Sequence, residues 1–236
     1  MIFPIGDDNI HGGAKPFMTY LFLGINFLIF IYEYSLNEVQ LQEFFNVYGT
    51  IPSQAMRGEN LYSLLTNMFL HGGMAHLAGN MLFLWIFADN VEAVMGSLSF
   101  TLFYIVGGIV ASLTHIWMNM DSFIPSLGAS GAISAVLGTY LVLFPRSRIK
   151  MIFIIFFMTF YISALFFIGY WFLQQFLSVY SEQGDMGAAS QGVAWWAHIG
   201  GFIYGIIVGL FYRKKASKFE FEREYQARSS NPWRIQ

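Results

Sequence analysis

Long apolar stretches separated by short polar ones run through this chain, and their lengths set the first expectations. A helix needs about 20 predominantly apolar residues to cross the hydrocarbon core of a bilayer. The stretches Pro16 to Leu36, Leu98 to Met118 and Val193 to Tyr212 reach that length, and Met74 to Ala88 predicts a further span, closed by a polar turn at Asp89 and Glu92. Pro16 suits a helix's first turn, and Glu33 falls near the far interface. The fourth span begins near Ser130 and ends at Pro145. At about fifteen residues and 1.5 Å per residue it is too short for a core about 30 Å thick, so it is expected to start inside the membrane. Ile149 to Val179 predicts the fifth span, long for a single crossing. The pattern therefore predicts an all-α membrane protein of six transmembrane helices. Its parts are an N-terminal segment 1–15, a six-helix domain 16–212 and a basic, mixed-charge tail 213–236.

Composition agrees with that solvent. Hydrophobic residues make up 56% of the chain and charged residues 11%, against about 25% charged in ordinary soluble domains. The absence of cysteine excludes disulfides, iron–sulfur clusters and thiolate zinc sites. Asp7 and Asp8 precede the first apolar stretch with no basic segment before it, so the first helix is expected to be retained rather than cleaved as a signal.

Charge then sets the expected orientation. Arg146, Arg148 and Lys150 lie between spans four and five, and Arg213, Lys214, Lys215 and Lys218 follow span six. Loops one, three and five carry Arg57 as their only basic residue, against Glu38, Glu43, Glu59, Asp121, Glu182 and Asp185. Lysine and arginine mark the cytoplasmic side, which predicts a multi-pass protein of the cell's inner membrane with both termini in the cytoplasm. The basic start of the tail suits anionic lipid; the bilayer is the expected partner, and nucleic acid is not. The first loop, Asn37 to Asn60, is broken by Gly49, Pro52 and Gly58 and is long enough to carry function.

Polar groups at membrane depth are costly, so the few inside these spans are candidate functional residues. They form three clusters. Gly128-Ala129-Ser130-Gly131 opens the short fourth span, where glycines on both sides of a serine permit a sharp turn and close approach. At a helix N-terminus Ser130 would be surrounded by unpaired N–H groups able to bind a developing oxyanion. Alone, it equally fits a helix cap. In the second cluster His198 is followed by Gly201, Gly205 and Gly209, a stripe of small residues that lets membrane helices pack closely. Ser130, Ser134 and Gly138 make a matching stripe; if the two faces meet, the His198 imidazole reaches the Ser130 hydroxyl. A neutral imidazole can accept the serine proton near pH 7, although an interhelical hydrogen bond without chemistry is the other reading of His198.

The third cluster is His71-Gly72-Gly73 with His76 and Asn80. His76 and Asn80, four apart, share a helix face and fit an oxyanion hole. His71 and His76, five apart, diverge on a helix, so no paired zinc site is expected. No metal-binding H-E-x-x-H occurs, Asp89 and Asp121 sit at turns, and His115 falls near an interface.

Together the clusters resemble the rhomboid proteases, from about Gly49 to Tyr212, with Glu92 and Gly96 also in the pattern. The resemblance implies a six-helix rhomboid-like bundle enclosing a water-filled catalytic cavity. It implies Ser130 as nucleophile, His198 as general base, and His76, Asn80 and the Ser130 N–H as oxyanion donors, with Gly128, Gly131, Gly201 and Gly205 supporting. It further implies a membrane-embedded first loop, a mobile fifth span, substrates that are membrane proteins with a transmembrane segment, and no cofactor. A catalytically inactive relative that binds transmembrane helices is the alternative; such proteins typically lack the serine or the histidine. Two positions depart from the pattern: Ser134 stands where an aromatic often stacks on the histidine, and Tyr62-Ser63 replaces a Trp-Arg pair.

Overall fold

The computed structural model describes residues 2–8, 13–184 and 194–229, with side chains through 179 and, in the last segment, from 194 to 219. Asp185 and most of the predicted fifth loop lie outside the described residues, as do the side chain of Glu182 and the end of the tail from 230.

A first strand, β1 (Ile2–Asp7), precedes helix α1 (Phe17–Ser35). The first loop is partly helical, with α2 (Glu38–Tyr48), α3 (Pro52–Met56) and α4 (Ser63–Thr66), and a 3-10 turn then leads to α5 (Met74–Met95) and α6 (Ser97–Met118). Next come α7 (Ser130–Leu143), strands β2 (Arg148–Phe153) and β3 (Met158–Ser163), α8 (Ala164–Gly184) and α9 (Trp195–Ser229). Helices α1, α5, α6 and α9 are long and apolar enough to cross a membrane; α7 and the apolar part of α8, Ala164–Val179, are shorter. The protein is thus a helix-rich, multi-pass membrane protein.

At the centre of the bundle stands α7. Ala132, Ala135, Val136, Leu137 and Tyr140 are all buried, as expected of a helix that is apolar on every side. Its 14 residues rise about 21 Å. The two small-residue stripes do face each other. A Cβ at Gly201 would strike the Gly131 carbonyl oxygen, and one at Gly205 would strike that of Ala135. Thr139 Oγ1 also donates to Gly205 O at 2.7 Å. Without side chains at these glycines, α9 approaches α7 closely enough for backbone contact.

Two sequence expectations are corrected. Asp89 and Glu92 do not close a span, because α5 continues to Met95. Glu92 is buried because donors converge on it: the N–H of Met18 at 3.0 Å, the N–H and hydroxyl of Thr19 both at 2.8 Å, and the Ser97 hydroxyl at 2.6 Å. No side chain caps α1 at Pro16, so the carboxylate of Glu92 satisfies the unpaired N–H groups of its first turn.

The fifth span is also shorter than expected, since residues 148–163 form a hairpin before α8 begins. Aromatic and β-branched residues dominate that stretch and favour strand, and hydropathy alone does not separate an apolar strand from an apolar helix. In β2, Ile149 and Met151 are buried while Arg148 is exposed and Lys150 half-buried. β1 pairs antiparallel with β2, Ile2 opposite Phe153 and Asp7 opposite Ile149, and β3 flanks β2's other side. Pro4 is tolerated because β1 is an edge strand. The sheet is tied to the bundle through Asp7, which accepts hydrogen bonds from the Tyr140 hydroxyl and from Asn90 Nδ2, the latter at 2.7 Å. Burial raises the Asp7 carboxyl to about 6, and the bonds from Tyr140 and Asn90 oppose that rise.

Candidate active site

The first and third loops are stitched together before α7 begins, and this places Ser130. Thr50 N donates to Ser126 O at 3.1 Å and Ser126 N to Thr50 O at 2.8 Å. Gly128 N donates to Asn67 O at 2.9 Å. The Asn67 amide in turn donates to Thr50 Oγ1 and, at 3.0 Å, to Ser112 Oγ on α6. Gly128 has φ +119°, a conformation open to glycine. An ideal Cβ there would also lie 2.8 Å from His76 Nε2 and 3.5 Å from Asn80 Nδ2. Gly128 is therefore required twice, for the turn and for the space that His76 and Asn80 occupy.

Ser130 is the first residue of α7, and Ala129 holds the cap position without a side-chain cap bond. Its hydroxyl is directed at α9 rather than at its own helix: His198 Nε2 lies 2.7 Å from Ser130 Oγ. The helix-cap reading of Ser130 is thereby replaced by an interhelical contact. His198 stands in the first turn of α9 and is 7% exposed.

Ser134, at the position where the sequence pattern would put a stacking aromatic, turns its hydroxyl back to Ser130 O at 2.6 Å and does not hold the imidazole. That support comes from α8 and from the start of α9. Gln175 Oε1 is 2.7 Å from His198 Nδ1. The ring centroids of Trp171 and Trp195 each lie 5.9 Å from that of His198, tilted by 37° and edge-on at 86°. Sequence reasoning missed all three residues, although Gln175 carried a readable signal as a polar side chain within the apolar stretch Ala164–Val179.

His76 and Asn80 both open onto the same cavity as Ser130 and His198. Its volume is about 630 Å³, and Gly72, Gly73, Phe83 and Trp171 also line it. Asn80 is buried, and its Nδ2 lies 3.0 Å from His71 Nε2. His71 precedes α5 rather than lying on it, so its ring comes within 5.1 Å of the His76 ring, edge to face. The expected divergence of these two histidines assumed a continuous helix and is corrected. Among the described residues no group of three or more His, Asp or Glu side chains is placed to hold a metal ion. His115 does not line the cavity; it stands in the last turn of α6, near enough to His198 to act on its charge, with Asn119 Nδ2 3.3 Å from its Nδ1.

The arrangement sets a hydroxyl bonded to an imidazole at a helix N-terminus, with two further side chains carrying N–H groups on the same cavity. Those are the parts needed for attack on a carbonyl and for holding the negative charge that follows.

Comparison with known proteins gives a family match for most of the chain. Residues 58–215 match the Rhomboid domain. The rhomboid protease GluP of Bacillus subtilis is 36% identical over 128 residues, 54% of this chain and 25% of that protein. The mitochondrial Rhomboid protein 1 of Saccharomyces cerevisiae is 29% identical over 174 residues, 70% of this chain and 45% of that protein. The human mitochondrial presenilin-associated rhomboid-like protein is 31% identical over 93 residues, 39% of this chain and 24% of that protein. The matched stretches thus span less than half of each of these relatives.

Proposed function

Since the chain belongs to the rhomboid family, we propose that it is an intramembrane serine endopeptidase that cleaves transmembrane segments of membrane proteins, with Ser130 as nucleophile and His198 as base. The observation that carries this reading is the 2.7 Å contact between His198 Nε2 and Ser130 Oγ on one cavity wall. Ser130 Oγ attacks the scissile carbonyl while its proton passes to Nε2. The C–N bond then breaks, and His198 returns the proton to the leaving amine. Water attacks the resulting ester, His198 taking its proton, and release of the new carboxylic acid restores the serine hydroxyl. Labelling of the purified protein by a serine-reactive fluorophosphonate tests this, and labelling that persists unchanged in Ser130→Ala would refute it.

His76, Asn80 and the Ser130 N–H are proposed to receive the oxyanion, and Gly128 leaves the room that the His76 and Asn80 side chains occupy. Losing one such donor costs about 10² to 10³ in rate. Asn80→Ala is expected to lower kcat by that factor with little change in KM, because the charge it meets exists only in the transition state. His76→Ala is expected to behave alike. The bond between Asn80 and His71 offers a structural alternative, and melting curves on the same preparations separate the two. Normal stability with slow turnover supports the oxyanion role; lowered stability with normal turnover of the folded fraction refutes it.

Six crossings follow on this reading if α7 and α8 count as short spans beside the four long ones. The basic residues at 146–150 and 213–218 support cytoplasmic termini and a cavity opening on the opposite side, where α5, α7 and α9 begin. A reporter fused after Lys215 should lie in the cytoplasm and one inserted near Glu182 outside it; the reverse pattern would overturn the orientation.

A further inference from the structure

We infer that Gln175 is a positioning residue that fixes the proton tautomer of His198, so that α8 takes part in preparing the base. The inference rests on the reading of Ser130 and His198 as nucleophile and base.

A neutral imidazole carries one proton, on either ring nitrogen, and the bond made by one nitrogen decides which. For His198 to take the serine proton, Nε2 must present its lone pair to Ser130 Oγ, and the ring proton must sit on Nδ1. The partner of Nδ1 must therefore be an acceptor. Gln175 is an amide, which offers an oxygen that accepts and a nitrogen that donates, so its orientation decides the matter.

The structure determines that orientation by a second contact. Gln175 Nε2 lies 2.9 Å from the Trp171 carbonyl oxygen, one turn earlier on α8. A carbonyl oxygen accepts and never donates, so the NH2 end of the amide must face Trp171. That leaves Oε1 toward His198, at 2.7 Å from Nδ1. Flipping the amide would set oxygen against oxygen at Trp171, losing that bond, and would turn a donor toward Nδ1, which selects the opposite tautomer. Gln175 is 5% exposed, so little water competes for either end. The neighbouring Gln174 does not share the task; it is exposed and donates to the Tyr170 hydroxyl at 3.1 Å.

Three helices thus meet at one imidazole. Helix α9 carries the ring, α7 brings the hydroxyl to Nε2, and α8 brings the acceptor to Nδ1. Trp171 serves twice, its carbonyl holding the Gln175 amide and its indole standing against the ring. The Gln175 amide is neutral, so it orients the imidazole without supplying the negative charge of a carboxylate partner.

The test compares wild type with Gln175→Leu and Gln175→Glu, reconstituted in liposomes with a transmembrane substrate. Partners that orient metal-ligating histidines typically cost about 10- to 100-fold when removed, and a loss of that order is the guide for the His198 imidazole. For Gln175→Leu that loss is expected in kcat with KM unchanged. Gln175→Glu keeps an acceptor toward Nδ1, so its activity at alkaline pH should stay within a few fold of wild type. Its negative charge favours the imidazolium, so the acid limb of its kcat/KM profile should move to higher pH. His76 on this cavity and His115 on α6 are the other titratable groups close enough to act on His198, and both remain in all three proteins.

A second readout does not depend on turnover. With ¹⁵N-labelled imidazoles, the His198 signal, assigned by its loss in His198→Ala, should report Nδ1–H in wild type and a mixture of tautomers in Gln175→Leu. An unchanged tautomer, or an unchanged kcat and pH profile in Gln175→Leu, overturns the inference. So does a loss of activity that merely follows a loss of folded protein. If wild type fails to react with a fluorophosphonate, it is the protease reading that fails, and the ¹⁵N spectra still decide whether Gln175 sets the tautomer.

Discussion

Ser130→Ala should abolish cleavage of any transmembrane substrate, with kcat falling by about 10⁶, the order found when the serine nucleophile is removed from a soluble serine protease. The change deletes the hydroxyl that is bonded to His198 Nε2 and adds no bulk at the start of α7. It removes one hydrogen bond from the fold, at a stability cost of about 0.5–1.5 kcal/mol. Melting curves in detergent should therefore nearly superimpose on those of wild type while cleavage, followed by mass spectrometry of the products, disappears. Undiminished turnover would remove Ser130 from the mechanism, and loss of the folded bundle would show the serine to be structural.

A comparable loss is expected from His198→Ala. Once the base is gone the hydroxyl has no group to take its proton, and the serine alone contributes little. A nucleophile and its base act as a unit, so their losses do not add. The double variant should then turn over scarcely more slowly than either single one, whereas independent, multiplying losses would contradict a shared step. His198→Ala is also expected to be the less stable single variant. It leaves the Gln175 carbonyl and the Ser130 hydroxyl without their shared partner, and an unsatisfied buried polar group costs about 1–3 kcal/mol. Kinetics must accordingly be normalised to the folded fraction.

The inactive-relative alternative predicts neither effect, since a protein that only binds transmembrane helices has no turnover to lose. Retention of both residues in hydrogen-bond contact favours the enzyme.

Ser130, His198, His76 and Asn80 were legible in the primary structure because each is a polar group within or beside an apolar run, where burial is costly enough to demand a purpose. The close meeting of α7 and α9 was legible too, since small residues at Gly201 and Gly205 have few other uses on an apolar helix. Gln175 carried the same signal as Ser130 but lacked the flanking glycines that drew attention to the serine. Its role emerged only when the register of α8 brought it to His198 Nδ1.

The remaining differences share one physical cause. Hydropathy records how apolar a residue is and says nothing about what will face it. Glu92 reads as a turn residue because a bare carboxylate does not bury, yet it buries fully where the first turn of α1, 73 to 74 residues away, supplies N–H groups. Residues 149–163 read as membrane helix because they are apolar, yet they form strands where β1 offers an edge to pair with. Asn80 reads as a free donor, yet the loop before α5 brings the His71 ring to its amide. Local chemistry along the chain was sufficient for the membrane setting, most of the spans and the polar residues that meet at the cavity. Which distant backbone satisfies each buried polar group, and hence which nitrogen of His198 faces the serine, depended on contacts between segments far apart in the chain, and those exist only in the folded protein.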